Sequence, residues 1–372
     1  MAPEFDKPFQ QLPIIPTHIL KKHRVHEPLD TRFRSAARLL QALWRQDRGL
    51  PPGSYVGEDG KPRKLGSRIT EKAGMAGGNF LTAEIAHLAW REVAYREIGA
   101  MMDEGRLKTN LLSSMALTFN LIAPLALKRS NSDALLYELL QNFRGATQHV
   151  LFEHSPGRRD PRFTGDYSAF DALIRYVSSD GRRGFVAIEV KYSESMNEPV
   201  PRINPRYGEF AEASGLFAEP KEPALRSNPL QQLWREHLLA QSMIDAGLYD
   251  EGYFLLIAPA LNYHAQEAAT AYQAQLCEPA EGRVIFANVT LEQAIDAIRY
   301  NDPSHAEALY RRYCDFWAVD GELELNAPIF GARAKAHIVP VNAISDDAEA
   351  LPDKLAPRRK ANAKKRGAAA AE

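Results

Sequence analysis

Apolar residues recur at helical spacing through the first third of the chain and then switch to alternation. From Thr31 to Arg48, Phe33, Ala36, Ala37, Leu40 and Leu43 fall on one helix face. The stretch that follows, RGLPPGSYVGEDGKPRKLGS, is dense in Gly and Pro and reads as a loop. A long helix is predicted from Asn79 to Met102, with Thr82 as N-cap and Leu81, Ile85, Leu88, Ala89 and Val93 as its buried stripe. Residues 110–127, NLLSSMALTFNLIAPLAL, are apolar throughout and belong inside. Leu135, Leu136, Leu139, Leu140 and Phe143 mark a further helix over 132–143.

Near residue 148 the period falls from that of a helix to that of a strand. QHVLFEH (148–154), SAFDALIRYV (168–177) and GFVAIEVKY (184–192) read as strands, and Asp180-Gly181 marks a hairpin between the last two. After a proline-rich excursion over 198–229, the pattern gives a helix ending near Gly247 and a buried strand over 252–260. A helix (264–277), a strand (283–289) and helices at 290–300 and 303–317 follow. The whole reads as α/β, without repeats or a phosphate-binding glycine loop. Its expected parts are a helical N-terminal region over 1–130, an α/β domain over 131–340, and a basic tail of disordered composition over 345–372.

Length and charge narrow the function classes. At 372 residues the chain has room for two domains, or for one core with large additions. Lys and Arg number 46 against 47 Asp and Glu, so any nucleic-acid contact must rest on local patches. Cys277 and Cys314 cannot build a disulfide framework, and no Cys/His metal spacing occurs. No apolar run reaches the roughly 18 residues of a membrane span, and the N-terminus lacks a signal-type segment. A cytoplasmic protein is expected.

The candidate chemistry sits in GFVAIEVKYSE, where two charged residues interrupt an apolar strand. Alternation puts Glu189 and Lys191 on one face with Phe185 and Ala187, and Val186, Ile188 and Val190 on the other. Asp171 also lies inside an apolar run, among Phe170, Ala172, Leu173 and Ile174. A hairpin turning on Asp180-Gly181, with Val177 near Gly184, sets Asp171 opposite Val190 or Lys191. A slip of one residue would reverse its face. Two carboxylates and a lysine at one strand end suit Mg²⁺ or Mn²⁺ and phosphodiester hydrolysis. The plain alternative is a strand-end ion pair, with Asp171 capping a turn.

Asp171 followed across a hairpin by Glu189-Val190-Lys191 resembles the PD-(D/E)XK nuclease superfamily, with Phe170 standing where that motif has proline. FEHSPGRRDPRFTGDYSAFDALIRY, AIEVKYSE, NPLQQLWREHLLAQSM and NLLSSMALTFNLIAPL resemble a bacterial restriction endonuclease group within it. The resemblance implies a restriction endonuclease-like core, a mixed central sheet flanked by helices, a divalent metal (Mg²⁺, with Mn²⁺ as a substitute) and DNA as substrate. It implies Asp171 and Glu189 as metal ligands, with Lys191 and Gln232 as further catalytic residues. Glu153 is open to two readings, a third metal carboxylate or a solvent-facing strand residue. Gln231 and Gln232 open the helix after the Glu-x-Lys strand, where superfamily members place a polar group against a phosphate or water; an ordinary exposed helix face is the competing reading. Arg158, Arg159 and Arg162, in SPGRRDPR, are the DNA-contact candidates alongside Gln231, with a purely structural loop as the competing reading. Asp166 reads as a turn residue, and Trp234 and His237 as core. Arg358, Arg359, Lys360, Lys364, Lys365 and Arg366 in the tail read as a solubility element, with non-specific attraction to phosphate as the competing reading. The expected activity is metal-dependent DNA hydrolysis of a restriction or phage-defence type, in a chain compatible with homodimerisation. An RNA nuclease and an inactive nuclease-fold binding module stay open.

Overall fold

Two helices, α1 (Thr17–Lys22) and α2 (Arg32–Asp47), begin the part of the chain that the computed structural model describes: residues 11–56, 60–140, 143–197, 199–201 and 203–326. The tail expected over 345–372 lies outside the described residues. Thr31 caps α2 by accepting from the Arg34 amide, and Phe33, Ala36, Ala37 and Leu40 are buried as their spacing predicts. The Gly- and Pro-rich stretch after α2 is more than a loop. It pairs as antiparallel strands β1 (Pro52–Val56) and β2 (Pro62–Ile69). A Cβ at Gly53 would come within 2.1 Å of the Ile69 carbonyl oxygen, so glycine is what lets these strands approach. Glycine content signals turns in a sequence, which concealed the pairing.

After α3 (Glu71–Met75) comes α4 (Ala83–Ala94), shorter than the predicted helix. Thr82 is its N-cap, accepting from Ile85, but the helix ends at Tyr95 and the chain runs irregularly to Asp103. Asp103 caps α5 (Glu104–Thr109) through the Arg106 amide. The apolar run forms α6 (Ser114–Leu127), buried over most of its circumference, and α7 (Arg129–Leu139) follows.

A five-stranded sheet comes next in the order β3 (Gly145–His154), β4 (Phe170–Ser178), β5 (Arg183–Val190), β6 (Glu251–Ala258) and β7 (Ile285–Thr290). The first three strands pair antiparallel; β6 and β7 add parallel to β5, which makes the sheet mixed. Parallel neighbours need crossovers, and helices supply them. Between β5 and β6 lie α8 (Arg206–Ser214), a short 3₁₀ turn (Pro223–Arg226) and α9 (Gln231–Asp245), while α10 (Tyr263–Gln273) joins β6 to β7. The chain continues as α11 (Leu291–Arg299), α12 (Pro303–Tyr313) and α13 (Phe316–Leu325), so the single helix expected over 303–317 is divided at Cys314.

Alternation along β4 and β5 gives each sheet face its own core. Ala172, Ile174, Tyr176, Val186, Ile188 and Val190 pack with α2, α4, α6, α7, α11 and α12. Leu173, Phe185 and Ala187 pack with α8, α9 and α10. Both faces are therefore covered, which explains why β5 is buried along nearly its whole length. No helix among the described residues is long and apolar enough to cross a membrane.

Candidate active site

The β4–β5 turn decides which face Asp171 occupies. A two-residue Asp180-Gly181 turn would pair Val177 with Gly184. The structure instead pairs Val177 with Arg183 and Tyr176 with Gly184. The Ser178 amide bonds the Arg182 carbonyl at 2.9 Å, enclosing a three-residue loop, Ser179-Asp180-Gly181, with Gly181 at φ 85°. That one-residue change corrects the expected register. Paired residues reach Ala172–Ile188, so the next step sets Asp171 opposite Glu189. Residues directly opposite on antiparallel strands share a face. Asp171 thus lies on the face of Glu189 and Lys191.

Hydrogen bonds bring the group together. Asp171 Oδ2 accepts from the Val190 amide at 2.9 Å, which ties its carboxyl to the residue between Glu189 and Lys191. Lys191 Nζ lies 2.9 Å from Glu189 Oε1 and donates to Gln232 Oε1 at 2.8 Å. Gln232 Nε2 donates at 2.8 Å to Glu189 Oε1 and at 2.8 Å to Glu236 Oε1. Gln232 and Glu236 are one helical turn apart on α9, so the helix packed over this sheet face delivers both. Glu189, Lys191 and Glu236 are 5%, 7% and 4% exposed, whereas Asp171 keeps a partly open surface.

Charge is crowded here. Burial, with Glu189 beside it, pushes the Asp171 carboxyl well above its ordinary range. Burial and then Glu189 do the same to Glu236. Burial works against the Lys191 ammonium, but Glu189, Glu194, Glu236 and Asp171 together hold its pKa above the ordinary value. Lys191 therefore stays charged through neutral pH, as one cation among several acids.

This arrangement fits a divalent cation through a small donor set. Asp171 Oδ1 and Glu189 Oε2 lie outside the bonds just described, and both are hard oxygen donors. Among the described residues no three His, Cys, Asp or Glu side chains are grouped as a metal cage. Two carboxylates suffice for Mg²⁺, which commonly completes its shell with water and phosphate oxygens. Glu153, on β3, is drawn elsewhere: its Oε1 accepts from the Met101 amide at 3.2 Å and from Arg158 Nη2 at 3.3 Å. Burial raises its pKa, and Glu189 contributes to the rise, so Glu153 is near enough to be felt electrostatically.

The three loop arginines separate. Arg158 is not a loose surface cation, because its side chain is 5% exposed and ion-paired with Glu97 and Glu153. It joins the end of β3 to the segment after α4. Arg159 is exposed, with its guanidinium over the Tyr167 ring at 5.8 Å. Arg162 is exposed too and pairs with Asp160 at 2.7 Å. Gln231 is turned inward at 6% exposure, and its Oε1 has no hydrogen-bond partner. Asp166 holds a turn, accepting from the Ser168 amide at 2.9 Å and the Tyr207 hydroxyl at 2.8 Å. Trp234 and His237 are both core.

Glu236 was not among the sequence candidates. Its signal was available in the four-residue spacing from Gln232, which aligns the two on a helix.

The sequence profile of the PD-(D/E)XK nuclease superfamily matches residues 28–315. No curated protein and no solved structure matches the chain. The matched span takes in the mixed sheet, the helices on both of its faces and the strand end that carries Asp171, Glu189 and Lys191, and the chain belongs to the PD-(D/E)XK nuclease superfamily.

Proposed function

We propose that this chain is a metal-dependent nuclease that hydrolyses DNA phosphodiester bonds, in a restriction or phage-defence role. One observation carries the reading: the Lys191 ammonium stands 2.9 Å from Glu189, and the Asp171 carboxyl is anchored to the residue between them. In this reading Asp171 and Glu189 hold Mg²⁺, or Mn²⁺ in its place. The bound ion supplies a more acidic water and a counter-charge for phosphoryl oxygen. Lys191 orients the attacking water and offsets the negative charge that grows on the phosphate. Gln232 fixes the Lys191 ammonium, and Arg159 and Arg162 meet phosphates along the strand. The enclosed setting of Glu189 and Lys191 strengthens these interactions by keeping bulk water away.

The test is incubation of supercoiled plasmid and matched RNA with the protein in Mg²⁺, in Mn²⁺ and in chelator. Nicking or linearisation of DNA only with metal is the expected result. Lys191→Ala should keep a cooperative melt and metal binding but lose about 10²–10³ in cutting rate. Asp171→Asn should lose metal affinity by calorimetry as well as cutting. A folded Lys191→Ala that cuts at the parental rate would sink the mechanism. Cutting confined to RNA would move the substrate class. Metal binding with no cutting of either polymer would favour the inactive binding module.

A further inference from the structure

Glu236 carries a feature that packing does not explain. Its side chain is 4% exposed in the middle of α9, and Oε2 has no hydrogen-bond partner. An unpaired polar atom at such depth costs stability, so an apolar residue would fill the same space at less cost. The other oxygen makes one bond, from Gln232 Nε2 at 2.8 Å.

We propose that Glu236 is a positioning residue: it braces the Gln232 amide, and through it sets where the Lys191 ammonium stands. The argument follows from donor and acceptor counting. An ammonium only donates, the Glu189 carboxyl paired with it accepts, and an amide presents two N–H donors on one side and an oxygen on the other, while the Glu236 carboxyl offers an accepting oxygen whether or not it carries a proton. Gln232 spends its Nε2 hydrogens on Glu189 Oε1 and Glu236 Oε1, which leaves Oε1 for Lys191 Nζ. The reversed amide would set its oxygen against the Glu189 carboxyl and its hydrogens against the Lys191 ammonium. Glu189 alone would favour the observed orientation, but Glu189 Oε1 is already shared with Lys191 at 2.9 Å. A cation drawing on the Glu189 carboxylate would weaken that hold further. Glu236 supplies an acceptor on the helix itself, away from the strand carboxylates.

The catalytic consequence rests on the nuclease reading, while the positioning itself does not, so the experiment has two arms. In the first, the Gln232 side-chain amide is followed by NMR in ¹⁵N-glutamine-labelled protein, assigned by its loss in Gln232→Ala. Glu236→Leu should speed solvent exchange of the Gln232 amide protons by about tenfold or more. Glu236→Gln, whose oxygen still accepts, should keep most of the protection. In the second arm, Glu236→Leu should lower kcat by about 10²-fold, as a small misplacement of a reacting group does. KM for DNA should stay within about threefold, since no ground-state contact is removed, and Glu236→Gln should restore most of the rate. The double variant Gln232→Ala/Glu236→Leu should be no slower than Gln232→Ala, because the two act in one line. Unchanged Gln232 exchange in folded Glu236→Leu would overturn the proposal, as would a double variant slowed by the full product of the two effects. If the parent does not cut, the nuclease reading fails and the NMR arm still decides the positioning. Should Glu236→Leu not fold, Glu236→Ala is read the same way: faster exchange of the Gln232 amide protons supports the brace, and exchange as slow as in the parent overturns it.

Discussion

Arg158 and Arg159 are neighbours in sequence and opposites in environment. Arg158 is enclosed between Glu97 and Glu153 and also donates to the Glu153 carbonyl at 2.8 Å. Arg158→Ala would leave the largely buried Glu153 carboxyl without its cation, at a cost of about 1–3 kcal/mol measured by urea unfolding. Its effect on DNA binding would then be entangled with folding. Arg159 and Arg162 face solvent. Replacing either with Ala should leave the melting transition in place and lower the slope of log affinity against log salt by about one. An unchanged slope in both would put the DNA path elsewhere. The sequence showed three arginines in a loop; it did not show that one of them has two carboxylate partners, the farther of them 61 residues away.

His237 gives a second residue-scale prediction, on pH. Its Nε2 lies 3.0 Å from the Val284 carbonyl, which only accepts, so that nitrogen donates and Nδ1 accepts from the Tyr272 hydroxyl at 2.9 Å. Burial lowers the His237 pKa from 6.5 to about 4. The folded ring therefore stays neutral where the unfolded ring takes up a proton. Stability from this group is complete above pH 6.5 and is lost as the pH falls towards about 4, on the order of 3 kcal/mol in all. Unfolding free energies at neutral and acid pH, with the ring followed by NMR, check this; a ring titrating near its ordinary value would contradict it.

At the scale of elements, long periodic segments were legible and turns were not. The strands β4 and β5 and the helix α9 follow from spacing alone, because a buried face repeats its apolar positions. Asp171, Glu189 and Lys191 were legible for the complementary reason, as charges inside apolar runs. The hairpin register was not legible, since Asp180-Gly181 fits a two-residue turn as well as the three-residue loop observed. The hairpin β1–β2 was hidden by its Gly and Pro content, and the contact of Glu236 with the site needed the packing of α9 over the sheet. The loop therefore carries a prediction. Gly181 sits at φ 85° with open space where a Cβ would go, so a substitution meets backbone strain and no clash. Gly181→Ala should cost about 1–2 kcal/mol, while Asn, more tolerant of that conformation, should cost less. Urea unfolding decides it, and equal stability for Gly, Ala and Asn would mean the loop does not hold this conformation in solution.

At the scale of the molecule, the helices before residue 130 and the sheet after it share one core. Phe33, Ala36 and Leu40 of α2 and Leu117 and Ile122 of α6 belong to the cluster that contains Ile174, Val186, Ile188 and Tyr192. Polar contacts cross the same boundary: Gln41 Nε2 donates to the Tyr192 hydroxyl at 3.1 Å, and Asn120 Nδ2 to the Tyr313 hydroxyl at 2.9 Å. Tyr192 follows Lys191 directly, and its ring meets Phe33 and Tyr313 edge to face. The N-terminal helices thus support the strand end on which the catalytic candidates stand. A fragment beginning at residue 131 keeps Asp171, Glu189, Lys191, Gln232 and Glu236, but strips α2, α4 and α6 from the sheet face lined by Ala172, Ile174, Val186, Ile188 and Val190, leaving α11, α12 and most of α7 to cover it in part. Exposed apolar surface of that extent does not sustain a cooperative fold. The fragment should bind a hydrophobic dye, unfold without a sharp transition and fail to bind metal, although every proposed ligand is present. A fragment that melts cooperatively would show instead that the nuclease core folds without α2, α4 and α6, and that their shared packing is an addition to a self-sufficient domain.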